Sequence, residues 1–130
     1  MDLIDLLVFR RLGETCPRDI LVLMASPPPI DDQRVQWHIG DVETTLPKVN
    51  LDRRENERWI IFFDLDLLQP TEFAWNIIKG EMREGDLLYF DEAFNWDERF
   101  VIDQLVLPFG YFDLIGFTPQ ALALQFKGKK

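Results

Sequence analysis

The sequence predicts an α/β fold: a mostly parallel sheet with helices on both faces, finished by an antiparallel hairpin at the carboxyl end. Three observations carry that prediction. Two short runs are apolar throughout, Trp59–Phe63 and Leu87–Phe90, as strands covered on both faces must be. Each run is followed by apolar residues at helical spacing. The last two strand-like runs, Tyr111–Phe117 and Ala121–Phe126, are separated only by Thr118-Pro119-Gln120. That connection is too short for a parallel crossover, so the two runs are antiparallel neighbours.

The elements follow in order. Asp2 can cap a helix running to Leu12, with Leu3, Ile4, Leu7 and Val8 on one face and Gly13 as its stop. Asp19–Met24 reads as a buried strand, and Pro27-Pro28-Pro29 as an extended loop after it. Arg34–Ile39 alternates, with Val35, Trp37 and Ile39 on one side and Gln36 and His38 on the other. That is a half-buried strand ended by Gly40-Asp41. A short helix covers Val42–Leu46, before Pro47. The acids and arginines of Asn50–Arg58 alternate as in a solvated loop.

After Trp59–Phe63 comes Asp64-Leu65-Asp66, and Pro70 then opens a helix whose apolar face is Phe73, Ala74, Ile77 and Ile78. Gly85 closes that unit. Leu87–Phe90 runs into Asp91-Glu92. Asn95 caps the next helix, with Glu98 placed three residues on as in a capping box. Phe100, Val101, Leu105 and Val106 are its buried face, and Pro108 ends it. The tryptophans at 37, 59, 75 and 96 read as core. The 130 residues form one domain, residues 1–130.

Composition narrows the function. The chain is 47% hydrophobic and 28% charged, which excludes a disordered or low-complexity segment. Fourteen basic residues against 23 acidic ones give a net charge of −9, which argues against nucleic acid as a partner. No apolar run approaches the ~20 residues of a membrane span. The acidic start, Asp2 and Asp5, is unlike a secretory signal. Cys16 is the single cysteine, which excludes an intramolecular disulfide, and without a paired histidine or a second cysteine it does not read as a nucleophile. These features lead us to expect a cytoplasmic protein. His38 falls on a polar face and reads as surface.

Parallel sheets bind ligands beyond the carboxyl ends of their strands. Asp64 and Asp66 follow one central run, and Asp91 and Glu92 the next. Neighbouring strands lie about 4.8 Å apart, so these acids meet. Two readings stand. Clustered carboxylates repel unless a hard cation such as Mg²⁺ neutralises them. Alternatively, the acids cap the following helices or are solvated.

Three motifs point further: Gly40-Asp41-Val42-Glu43-Thr44-Thr45-Leu46-Pro47, Phe63-Asp64-Leu65-Asp66-Leu67 with Pro70-Thr71, and Gly85-Asp86-Leu87-Leu88-Tyr89-Phe90-Asp91-Glu92. From Gly40 to Phe126 the chain resembles the carboxyl-terminal part of class I S-adenosylmethionine-dependent methyltransferases. More narrowly, it resembles the macrocin O-methyltransferase family, which modifies hydroxyls of sugars and antibiotic-like natural products. The resemblance implies a Rossmann-like fold, with Asp64, Asp91 and Glu92 holding Mg²⁺ and Asp66 as base for the acceptor hydroxyl. It places Gly40 and Asp41 on the S-adenosylmethionine side.

The departures from that pattern shape the expectation. The seven glycines never form G-x-G. No acid follows Asp19–Met24 directly, since Asp31 and Asp32 come later. The first strand and its Gly-rich turn are therefore expected to be missing. The reading is a shortened methyltransferase-like domain with a small-molecule acceptor. The alternative is a non-catalytic Rossmann-like subunit or interaction module. The missing strand, and an apolar first helix with more than one face's worth of leucines, predict a homo-oligomer or a partner chain. A metal-dependent hydrolase using the same acids is a third, motif-free reading.

Overall fold

The computed structural model describes residues 3–10, 38 and 40–130. The strands expected at Asp19–Met24 and Arg34–Ile39 lie outside these residues, His38 apart, as do Cys16, Trp37, Asp31 and Asp32. His38 is exposed.

Among the described residues a five-stranded sheet forms, in the order β1-β2-β3-β5-β4. Its strands are β1 (Leu3–Arg10), β2 (Glu57–Asp64), β3 (Leu87–Phe90), β4 (Gly110–Phe117) and β5 (Leu122–Lys129). β1, β2 and β3 are parallel, and β5 runs antiparallel to both β3 and β4. The mixed sheet and terminal hairpin match the sequence expectation.

The first segment does not. Leu3–Arg10 is a strand, not a helix, and pairs in parallel with β2 from Leu3 opposite Glu57 to Arg10 opposite Asp64. Eight residues in which Leu, Ile, Val and Phe predominate satisfy a strand as well as a helix, and sequence periodicity separates the two poorly. Pairing with β2 settles the choice. A parallel strand thus lies where the sequence suggested a gap, and the argument for oligomerisation from a surplus helix face falls with the helix.

The helices are α1 (Val42–Thr45), α2 (Leu68–Ile78), α3 (Trp96–Val101) and α4 (Leu107–Phe109). A π-helical turn, Ile102–Val106, joins α3 to α4. Pro108 therefore sits in the first turn of α4, and the helical path ends only at Gly110. β2 buries Trp59, Ile61 and Phe63, while the residues between them are half-buried. β3 alternates likewise, with Leu88 and Phe90 buried. The buried face joins Ala74, Trp75 and Ile78 of α2, Val101 of α3, and Ile102 and Val106 of the π-helical turn in one core. Phe63 stacks on Phe90 at 4.6 Å, and on the other face Phe62 stacks on Tyr89 at 4.4 Å. That second face carries no fully buried residue of β2 or β3, and a second helical layer over it is not found among the described residues. Two expected core residues are exposed instead, Phe100 and Trp96, the latter at 80%.

The charged loop hides a structural ion pair. The Arg53 side chain is 2% exposed and Asp86 is fully buried. Both guanidinium Nη atoms donate to Asp86, to Oδ1 and to Oδ2, each at 2.7 Å. The same carboxylate accepts from the Trp59 N–H at 2.9 Å and the Arg83 N–H at 2.7 Å. Arg53 also lies over the Trp59 ring, 3.8 Å from its centroid. Asn50–Arg58 is thus not a wholly solvated loop: one of its arginines closes the amino-terminal end of β2 and β3.

At the hairpin, Gly110 has a steric duty. A Cβ there would lie 2.5 Å from Phe126 Cε1 and 2.6 Å from the Gly128 carbonyl oxygen.

Substituting Asp86→Ala would leave a buried guanidinium unpaired. We expect it to cost about 3–5 kcal/mol, read as a lowered urea midpoint. A loss below 1 kcal/mol would mean the pair is not needed.

Candidate functional site

The site is built where two parallel strands stop. Asp64 is the last residue of β2, and Phe90, the last of β3, is paired with Phe63. The Asp91 N–H donates to the Phe63 carbonyl at 3.0 Å, carrying the parallel ladder one step past β3. Asp64 and Asp91 therefore sit side by side on adjacent strands, as the sequence predicted, and not on opposite edges.

Between β2 and α2 the chain turns within three residues. The Leu67 N–H donates to the Leu65 carbonyl at 2.7 Å, and Asp66 stands at the apex with φ 63°. Among the described residues it is the one non-glycine with positive φ. Asp tolerates this left-handed region better than most residues, yet such a turn still carries strain. Strain of this kind, of order 1–3 kcal/mol, gathers at functional sites. The turn sets Asp66 off the strand line and starts α2 at Leu68. The α2 N-cap, Leu67, offers no capping side chain. Its place is taken across the site by Asp97 of α3, whose Oδ2 accepts from the Leu68 N–H at 3.2 Å.

Glu98 is the residue that sequence reasoning misassigned. It does not reach back to Asn95 as a capping box requires. Asn95 caps α3 alone, accepting from the Trp96 N–H at 2.8 Å. Glu98 turns inward and is completely buried. Its Oε1 accepts from the Glu92 N–H at 3.3 Å, while its Oε2 is buried without a hydrogen-bond partner. Burial, joined by the negative charges of Asp66, Glu92 and Asp64, raises its pKa from 4.5 to about 8, against the opposing pull of the Glu92 N–H. At neutral pH Glu98 is therefore largely a neutral acid. A signal was present: Glu98, Val101, Ile102, Leu105 and Val106 follow the i, i+3, i+4, i+7, i+8 spacing of a buried helix face.

The structure thus brings Asp64, Asp66 and Glu92 around Glu98. Glu92 is partly committed elsewhere, accepting from Asn95 Nδ2 at 2.9 Å. Among the described residues no three His, Cys, Asp or Glu side chains are grouped as a cation needs. The expected Mg²⁺ set of Asp64, Asp91 and Glu92 is not assembled in this arrangement.

Gly40 and Asp41 lie apart from this cluster in the chain, just before α1, and both are exposed. Gly40 has φ 138°, and a Cβ there would lie 3.1 Å from Thr45 Cγ2. The Asp41 carbonyl accepts from the Thr44 and Thr45 N–H groups and the Thr45 hydroxyl, while its carboxylate makes no cap.

Among the described residues, no helix is long and apolar enough to cross a membrane. Neither a protein-family model nor a curated protein matches the chain. Solved structures do. The apo structure of CalS11, a TDP-rhamnose 3'-O-methyltransferase of calicheamicin biosynthesis, superposes with a TM-score of 0.53 at 26% identity, over 67% of this chain and 40% of that one. A crystal structure of CalS11 described as a calicheamicin methyltransferase gives 0.52 at 27%, over 67% of this chain and 35% of that one. The match spans two fifths or less of those chains. The fold is methyltransferase-like.

A folded-state pKa above the unfolded value means that the stability Glu98 contributes is full below pH 4.5, falls as pH rises and is gone above about 8. Glu98→Gln keeps the neutral shape and has no proton to lose. Melting curves from pH 4.5 to 9 should show a flatter profile for the variant, and a higher Tm than the parent at pH 8. Parallel profiles would show that Glu98 ionises normally.

Proposed function

We propose that this chain is a shortened methyltransferase-like domain that contributes the acceptor side of a methyl-transfer site. The reaction is transfer from S-adenosylmethionine to a hydroxyl of a sugar or natural product, as the narrower resemblance to macrocin O-methyltransferases suggests. The observation that carries this reading is the Asp64-Leu65-Asp66 turn. It holds Asp66 in a strained left-handed conformation at the carboxyl end of β2, beside the end of β3. The similarity to a sugar O-methyltransferase supports it.

The chain's own residues supply the proton chemistry. Asp66 accepts the proton of the acceptor hydroxyl, directly or through one water. Asp64 and Glu92 stand close by, around the same Glu98. Glu98, neutral beneath them, adds no further charge at pH 7. S-adenosylmethionine supplies an electrophilic methyl group when bound. Gly40 and Asp41 fit its side of the site: the left-handed glycine admits close approach, and the exposed carboxylate is free of capping duty. With these two residues alone, the isolated chain binds S-adenosylmethionine weakly. The described acids form no three-ligand group.

The test is transfer of labelled methyl from millimolar S-adenosylmethionine to a panel of glycosides. Asp66→Asn should lower the rate by about 10²–10⁴-fold, with urea unfolding confirming that the fold survives. Transfer unchanged in the variant would remove Asp66 from the role of base.

The non-catalytic reading, in which a second copy or partner covers the domain, has its own support. Among the described residues β4 is an edge strand, with Tyr111, Leu114 and Ile115 all more than half exposed. The register breaks between Leu114 and Gly116, leaving Ile115 as a bulge. A bulge discourages ladder extension, so contact would run through side chains. Light scattering of the parent should give a dimer or larger species, and Ile115→Lys a monomer. A parent that stays monomeric at high concentration would overturn this assembly.

A further inference from the structure

Three contacts hold the turn that carries Asp66. Within the turn, the Leu67 N–H donates to the Leu65 carbonyl. From inside α2, the fully buried Thr71 donates twice to the Leu67 carbonyl, through its N–H at 3.3 Å and its Oγ1 at 2.7 Å. From α3, the Asp97 carboxylate accepts from the Leu68 N–H at 3.2 Å, across 29 positions of sequence. A residue in the left-handed region stays there only when its surroundings over-determine it. The first two contacts are local, and a local turn can relax as a unit. Of the three, the Asp97 bond fixes the turn to a different element.

α3 is itself anchored beside the end of β3. Asn95 caps it and also donates to Glu92 Oε2 at 2.9 Å, while Glu98, the residue after Asp97, accepts from the Glu92 N–H. Asp97 therefore stands on a support tied to the segment after β3, and reaches from there to the start of α2. It is half-buried. Leu67, the N-cap of α2, brings no side chain of its own to that task.

We propose that Asp97 is a positioning residue for Asp66: through the Leu68 N–H it locks the start of α2, and with it the left-handed backbone that presents Asp66 to the acceptor. The inference rests on the methyl-transfer reading and adds a residue to it. Asp97 acts through Asp66 and not on the acceptor. Its loss lets Asp66 leave the reactive orientation, which slows proton removal and leaves acceptor binding as it was. Asp97 has a second, structural use, as a negative charge in the first turn of α3. Asparagine separates the two, because it keeps an acceptor oxygen and gives up the charge.

Two substitutions break the bond from opposite ends. Asp97→Ala removes the acceptor. Leu68→Pro removes the donor, at a first helical position where proline is well tolerated and after a residue, Leu67, that is already extended (φ −112°, ψ 153°). The readout that needs no activity is the NOE between the amide proton and Hα of Asp66, which is strong at positive φ because the two protons then lie close together. It should weaken in both variants and stay at the parental level in Asp97→Asn. In the methyl-transfer assay both variants should lower kcat about 10–100-fold, with KM held within about twofold, and Asp97→Asn should restore the rate. Added to Asp66→Asn, Asp97→Ala should cost nothing more. A parental NOE and kcat in folded Asp97→Ala or Leu68→Pro would overturn the proposal. So would Asp97→Asn behaving like Asp97→Ala, which would assign Asp97 to the charge of the α3 start. A full further loss in the Asp66→Asn background would overturn it too, by placing the effect elsewhere. The two readings fail separately. A weakened NOE in a protein that transfers no methyl keeps the positioning of Asp66 and overturns the methyltransferase reading. Methyl transfer with the NOE unchanged in both variants keeps that reading and overturns the role of Asp97.

Discussion

The buried carboxylate of Asp86 is the constraint on which the sheet depends. A fully buried charge is tolerable only when paired and hydrogen-bonded. Asp86 meets both conditions with four donors: two from Arg53 and the N–H groups of Trp59 and Arg83. Its backbone carbonyl accepts from the Phe126 N–H at 2.8 Å, while the Gly85 N–H donates to the Phe126 carbonyl at 2.9 Å. One residue therefore joins the start of β2, the start of β3 and the last half of β5. With that end tied, both β2 and β3 run in fixed register to the opposite end, where the acids emerge side by side.

The two ends of the sheet handle charge in opposite ways. At the amino-terminal end a carboxylate is buried against a guanidinium that stacks on Trp59. At the carboxyl-terminal end Glu98 is buried near three further carboxylates. A protein tolerates the second arrangement by holding a proton, at a cost in stability that grows with pH. The first end is a structural clamp. The second has the marks of a working site: a raised carboxyl pKa and a strained turn at Asp66.

Glu92 and Asp97 show how tightly that end is woven. The Glu92 N–H holds Glu98, and its side chain accepts from Asn95, the cap of α3. Asp97 of α3 in turn accepts from the first N–H of α2. The turn after β2 and the segment after β3 thus position each other. An acid assigned to a cation from sequence is here at least partly occupied in holding a helix start.

The sequence by itself determined the two central parallel strands, because runs as apolar as Trp59–Phe63 and Leu87–Phe90 fit no other place in a domain of this size. It also determined the hairpin, because three residues cannot make a crossover, and the meeting of Asp64 with Asp91, because both follow strands of the same direction. Tertiary structure decided the rest. Leu3–Arg10 became a strand because pairing with β2, not local periodicity, sets its hydrogen bonds. Arg53 left its solvated loop because a buried carboxylate needed a partner. Glu98 became part of the site because it lies on the core-facing stripe of α3, and burial prevailed over the capping role that its distance from Asn95 also allowed.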